Sequence, residues 1–244
     1  MVSPAERAGF DRLGLLRLPA AVPAPAVDAM RDRMWAFLAA EQGIDPVRRE
    51  TWPPGPARRL QALRKSGAFA PMASAAVLAA LDDLLGAGGW PVPKAWGLPL
   101  ITFPAAGTWQ VPAAGWHVDS YGPEHDLPGV TVFAFLAPVT PAGGGTVVLA
   151  GSHRLVNRHI AATGAWRPAD VRSALAGAHP WLRGMWAGER QLGDRADLDG
   201  VRVSVRELTG EPGDVVLMHP RTLHTPAPDT GRDPRMMLVE IVNR

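Results

Sequence analysis

Gly129-Val130-Thr131-Val132-Phe133-Ala134-Phe135-Leu136-Ala137-Pro138, followed after a short connection by Gly143-Gly144-Gly145-Thr146-Val147-Val148-Leu149, is the stretch whose reading decides the fold. The first run is β-branched and aromatic with little polar alternation, which suits a strand buried on both faces. The glycine triplet turns the chain into a second apolar run that ends at Gly151-Ser152-His153-Arg154. Strand, turn and strand therefore follow in quick order. The same reading gives strands at Leu98–Phe103 before this stretch and at Val201–Leu208, Asp214–Met218 and Arg235–Val242 after it, with Gly210-Glu211-Pro212-Gly213 as a connecting turn.

Upstream the character changes. Phe10–Leu18 alternates loosely and ends at Pro19, as a short first strand would. A helix starts at about Pro25, because Val27, Met30, Met34 and Leu38 recur at helical spacing. Pro46–Pro56 is proline-rich around Trp52 and reads as an irregular loop; short helices are expected at Arg58–Ser66 and at Ser74–Leu85, the latter capped by Ser74 and stopped by Gly86. Residues 155–197 interrupt the strand rhythm with a helix at Pro168–Ala178 and a loop carrying Trp181, Arg183, Trp186 and Arg190. The expected organisation is one domain over 1–244, with a mainly helical flank at 1–90 and a β core at 91–244 that carries the 155–197 insertion.

Composition narrows the class. The chain has 244 residues, a formal charge of +2 and no cysteine, which excludes disulfides, thiolate metal sites and cysteine nucleophiles. With two lysines and one tyrosine, little titrates between neutrality and arginine, so the sequence pI of about 9.6 carries little weight. No basic run interleaved with aromatics points to nucleic acid. The first residues lack a secretory pattern, and no stretch of about 18 apolar residues is present to span a bilayer. A cytoplasmic protein with a small-molecule substrate is the expectation; the sequence leaves the oligomeric state open.

Chemistry concentrates at Trp116-His117-Val118-Asp119. On an extended strand His117 and Asp119 point to one face, where an imidazole and a carboxylate can grip one metal ion. Two histidines compete to be the third ligand. His219 continues a strand and precedes a proline, whereas His224 follows the turn and stands eleven residues before Arg235. His224 is favoured. Two histidines and one carboxylate leave open positions on Fe(II) for a chelating co-substrate and oxygen. Arg235, opening the apolar run Met236-Met237-Leu238-Val239, can hold a distal carboxylate such as that of 2-oxoglutarate; Arg232, in a turn, is its rival.

His117-x-Asp119, the segment Gly143–Arg154, and Gly213-Asp214 through His224 to Arg235 together resemble the phytanoyl-CoA dioxygenase family of Fe(II)/2-oxoglutarate oxygenases. The resemblance covers roughly Trp90 to the C-terminus. It implies a double-stranded β-helix, a jelly-roll-like barrel, flanked by N-terminal helices. It carries the metal roles onto His117, Asp119 and His224 and the 2-oxoglutarate role onto Arg235, with O2 as the oxidant. Family members often place a serine two residues after the distal histidine to help hold the co-substrate carboxylate. Here Pro226 stands there, leaving Thr225 or another hydroxyl to substitute. Halogenating relatives replace the metal carboxylate with a small residue; Asp119 is present, which argues for hydroxylation with release of succinate and CO2.

Trp109, Trp116, Trp181 and Trp186 are candidates to line the barrel mouth, Trp116 foremost as a substrate contact. Arg154 is a candidate contact for an anionic substrate, although His153 and Arg154 also read as residues that close a turn. Desaturation or cyclisation would use the same residues. The rival from another class is a non-catalytic barrel that binds a small ligand.

Overall fold

The computed structural model describes residues 1–119 and 124–244. Its strands are β1 (Leu15–Leu18), β2 (Gly55–Pro56), β3 (Leu98–Phe103), β4 (Gly129–Phe135), β5 (Val147–Ala150), β6 (Arg195–Leu198), β7 (Val201–Glu207), β8 (Val215–Met218), β9 (His224–Thr225) and β10 (Arg235–Asn243). They form two antiparallel sheets, one in the order β1-β8-β4-β10-β3-β2 and one in the order β6-β7-β5-β9. The helices are α1 (Pro4–Leu13), α2 (Ala24–Gln42), α3 (Gln61–Lys65), α4 (Ala75–Leu85), α5 (His153–Thr163), α6 (Pro168–Ala178) and α7 (Pro180–Trp186).

The period of two along each strand sorts the side chains into three cores. Phe133 and Phe135 of β4, Val216 and Met218 of β8 and Met237 of β10 meet Val148 of β5 between the sheets. Val132 and Ala134 point the other way, with Leu217 and Leu238, under Met30, Met34 and Leu38 of α2 and Leu81 and Leu85 of α4. That second burial is why β4 shows no polar alternation. On the far side, Val147, Leu149, Val203 and Val205 are covered by Leu155, Val156, Leu175 and Leu182 from α5, α6 and α7. Helices thus cover both outer faces, and each fully buried large aliphatic contributes roughly 1.5–3 kcal/mol. The mainly β architecture with an N-terminal helical region matches the expectation from sequence.

Several local expectations are corrected. Residues 10–13 end a helix rather than begin a strand, since Pro4 and the reciprocal cap between Ser3 and Glu6 start α1 upstream; the chain then turns at Gly14, in the left-handed region at φ 71°, into β1. His153 and Arg154 open α5 instead of closing a turn. The tryptophan-rich loop contains α7, led by Pro180, and β6 lies partly within the stretch read as an insertion. Trp52 is partly buried against Trp35 and Phe103, so its loop is anchored. Among the described residues no helix is long and apolar enough to cross a membrane.

Candidate metal centre

The segment bearing His117 runs antiparallel beside β9, and His117 and His224 are a directly opposed pair: His117 N donates to His224 O at 2.9 Å and His224 N to His117 O at 3.0 Å. Trp116 and Val118 turn outward into the core under α5–α7, so alternation sends His117 and Asp119 to the opposite face. Asp119 N, donating to Pro220 O at 2.7 Å, continues the pairing. The ring centroids of the two histidines are 4.1 Å apart.

Each side chain is oriented by a second contact. The Nδ1 atoms lie against main-chain carbonyls, His117 on Gly115 O at 2.8 Å and His224 on Thr222 O at 3.0 Å. With the proton on Nδ1, the Nε2 lone pair of each ring is free. Asp119 Oδ2 accepts a hydrogen bond from the Thr131 hydroxyl at 2.7 Å, which leaves Oδ1 facing the histidines. Oδ1 is 3.8 Å from His117 Nε2 and 3.6 Å from His224 Nε2. These separations exceed hydrogen-bonding range, yet the three side chains offer ligand atoms within 4.8 Å of one another, close enough to share a metal ion. Burial holds the His224 imidazole below its ordinary pKa, with His117 reinforcing and Asp119 opposing, and so favours the neutral ring that donates to a metal. Imidazole and carboxylate in this ratio fit ferrous iron.

Arg235 projects from β10 on the side of Met237, toward the space between the sheets. Its Nη2 donates to Thr102 Oγ1 at 2.8 Å, while Nε and Nη1 are buried and unpartnered. Burial lowers its pKa to about 10, opposed by Asp229 and Glu207, so the guanidinium stays charged at neutral pH. A buried cation with two idle donors is costly unless an anion completes it. Arg232 is exposed in its turn. Thr225, next to Pro226, donates its hydroxyl to Ala114 O at 2.9 Å, and the hydroxyl beside Arg235 is that of Thr102.

The remaining candidates fall elsewhere. Both ring nitrogens of His219 are engaged, Nε2 with Asp126 O at 2.8 Å and Nδ1 with Arg221 N at 3.1 Å, and the ring stacks near His153 and Phe10. Arg154 borders a cavity of about 250 Å³ with Arg7, Asp11, His153 and His219, which none of His117, Asp119 and His224 lines. Trp116 is 6% exposed, donates Nε1 to Pro112 O at 2.7 Å, and lines a cavity of about 180 Å³ together with His117 and Trp186. Trp109 and Trp181 pack against the core under α5–α7.

A family model for phytanoyl-CoA dioxygenase (PhyH) matches residues 10–237. The chain belongs to the phytanoyl-CoA dioxygenase family of Fe(II)/2-oxoglutarate-dependent oxygenases. No curated protein sequence matches it. Solved structures similar to this family member include HygX from Streptomyces hygroscopicus with nickel and 2-oxoglutarate bound, at 15% identity and TM-score 0.56 over 99% of this chain and 86% of that one. The epimerase SnoN, in complex with Fe3+, alpha ketoglutarate and nogalamycin RO, aligns at 19% identity and TM-score 0.55, covering 98% and 82%. AviO1 from Streptomyces viridochromogenes Tue57 aligns at 14% and 0.54, covering 100% and 96%. At such identities the likeness speaks for the fold.

Two residues of this phytanoyl-CoA dioxygenase family protein were not singled out in the sequence. Thr131 and Thr102 each sit inside an apolar strand run, the one signal that could have raised them, and each contacts a candidate site residue. Which site residue each would meet depends on strand pairing, such as Arg235 opposite Thr102.

Proposed function

We propose that this chain is a non-haem Fe(II)- and 2-oxoglutarate-dependent dioxygenase that hydroxylates a small organic substrate and releases succinate and CO2. The observation that carries the reading is the placement of Asp119 Oδ1 between the Nε2 atoms of His117 and His224, at 3.8 and 3.6 Å. In this reading those three residues hold the iron, and Arg235 with Thr102 receives the far carboxylate of 2-oxoglutarate. Iron held there would supply the oxygen chemistry, in which one atom of O2 would end in the substrate hydroxyl and the other in succinate as the carboxyl next to the keto group of 2-oxoglutarate leaves as CO2. Thr131 keeps Asp119 turned to the site, and the Gly115 and Thr222 carbonyls, each facing an Nδ1, orient the two rings with Nε2 toward Asp119. In this reading residues 1–244 act as one oxygenase unit, and α6 and α7 border a cavity of about 180 Å³ beside His117.

Anaerobic addition of Fe(II) and then 2-oxoglutarate should give the weak visible charge-transfer band of the chelate, and the band should vanish in His117→Ala and Asp119→Ala. Absence of the band in the wild type, or succinate formation that survives both substitutions, would sink the assignment. Because SnoN is an epimerase, product analysis is the second arm: an oxygen-18 label from O2 in the product supports hydroxylation, and an unlabelled, stereo-inverted or dehydrogenated product replaces it.

A further inference from the structure

β10 outruns its neighbour on one side. β3 begins at Leu98, and the pairing of the two strands ends where Val239 stands opposite Leu98. On the other side β4 accompanies β10 as far as Asn243. The main chain of a paired strand turns its N–H and C=O groups to alternate edges, residue by residue. Met236 O accepts from Leu136 N at 2.9 Å and Arg244 N donates to Pro128 O at 2.9 Å, so the even-numbered residues of β10 point toward β4. Ile241 and Asn243 therefore turn their main-chain groups to the edge that β3 has left.

That edge borders a cavity of about 660 Å³, which Pro91, Val92 and Pro93 also line. Proline has no N–H to give, so the Pro91–Pro93 segment is poorly suited to pairing with β10. Val92 and Ile241 are exposed there, at 66% and 38%. The chain's two lysines, Lys65 and Lys94, both line the cavity, and neither has a hydrogen-bond or ion-pair partner among the described residues. The carboxylate beside them, Glu240, is buried and already held by Arg64 Nη2 at 2.9 and 3.1 Å and by Gly97 N at 2.9 Å. The groove thus offers idle main-chain groups, apolar side chains and two unpaired positive charges.

We propose that this edge is a docking site for an extended acidic peptide segment of a partner protein, which adds to β10 as a strand at Ile241 and Asn243 and sets its carboxylates against Lys65 and Lys94. Main-chain pairing supplies the affinity and the charges select the partner. A second copy of this chain would bring the same lysines to the edge, and like charges oppose such pairing. None of His117, Asp119, His224 and Arg235 lines the cavity, so the proposal stands apart from the iron chemistry.

Amide hydrogen exchange of the nitrogen-15-labelled full chain, followed by NMR in the presence of blocked pentapeptides, tests it. The acidic probe Glu-Val-Thr-Val-Glu should slow exchange at the Ile241 and Asn243 amides at least about fivefold and bind roughly five- to tenfold more tightly than Lys-Val-Thr-Val-Lys. Joint replacement Lys65→Gln and Lys94→Gln should erase that preference. Asn243→Pro removes an N–H that the ladder to β4 does not use, so the fold should persist while the acidic probe binds at least about threefold more weakly. The acidic probe N-methylated at every amide keeps its charges and loses its donors; it should not bind. Binding of the N-methylated probe, equal binding of the acidic and basic probes, or unchanged exchange at the two amides overturns the proposal and leaves the lysines as guards of an edge that pairs with nothing. Protection that grows with protein concentration in the absence of peptide assigns the edge to a second copy and overturns it too.

Discussion

Arg235 and Thr102 face each other across the β10–β3 pairing, and the Arg235 guanidinium donates to the Thr102 hydroxyl at 2.8 Å. Thr102 thus supplies the hydroxyl beside the Arg235 cation, while Pro226 stands two residues after His224. Two paired strands, rather than one loop, bring these two side chains together.

Thr102→Val keeps the side-chain volume and removes the hydroxyl. One hydrogen bond to a charged partner is worth about 1.5–3 kcal/mol, so 2-oxoglutarate should bind roughly tenfold more weakly, and Arg235→Gln should cost at least about a hundredfold. Anaerobic titration of the Fe(II)-loaded protein measures both. Unchanged affinity in Thr102→Val would show that the hydroxyl is idle.

Thr131 is 0% exposed and its hydroxyl reaches Asp119 Oδ2 at 2.7 Å. Loss of such an orienting partner commonly weakens metal binding by about 10–100-fold. Thr131→Val is therefore expected to lower Fe(II) affinity by at least about tenfold, read by competition with a chromogenic chelator, with His117→Ala as the lower bound.

Gly14 is a structural hinge between α1 and β1. At φ 71° an added Cβ would meet Thr222 Oγ1 at 2.5 Å and His153 Nδ1 at 2.6 Å, both deeply buried. Gly14→Ala should lower stability by about 2 kcal/mol or more through backbone strain and overpacking, seen as a lower urea midpoint. Metal affinity should fall with it, because Thr222 also carries the carbonyl that fixes His224.

Acid stability is tied to the neighbouring pair His153 and His219, whose ring centroids are 4.6 Å apart. Burial lowers their pKa values from the ordinary 6.5 to about 4 and about 3. The unfolded chain then binds protons that the fold refuses. Stability is full above pH 6.5 and falls as the pH drops below it, by about 1.4 kcal/mol per pH unit for each histidine, until the folded pKa values are reached. Glu207 and Asp229, raised by burial, act in the opposite sense at lower pH. Urea midpoints at pH 7, 6 and 5 should decline in the wild type and decline less steeply in His153→Gln. Parallel slopes in the two proteins would show that His153 does not titrate on unfolding.

The sequence was most readable where a single periodicity held over a whole element. Leu98–Phe103 and Pro168–Ala178 were read with their observed bounds, and Val27, Met30, Met34 and Leu38 are all buried. It was least readable at Phe10–Leu18, where helix and strand meet within one apolar stretch and the deciding cap, Ser3 with Glu6, lies upstream. It also failed at α7, whose aromatic and glycine content hides a short helix.

By itself the sequence determined the β class, and it singled out His117, Asp119, His224 and Arg235 as candidates, since these readings follow from local alternation, residue chemistry and order along the chain. Only the tertiary structure showed how differently His224, favoured from sequence, and His219 are surrounded: His224 opens β9 and pairs its main chain with His117, whereas His219 follows β8 and packs beside Asp126 and His153. Likewise, only strand register placed Thr102 beside Arg235, and only folding of the chain between them brought Thr131 against Asp119. Contacts between residues more than a hundred apart are set by which strands pair and in which register, and that is a property of the whole packed chain.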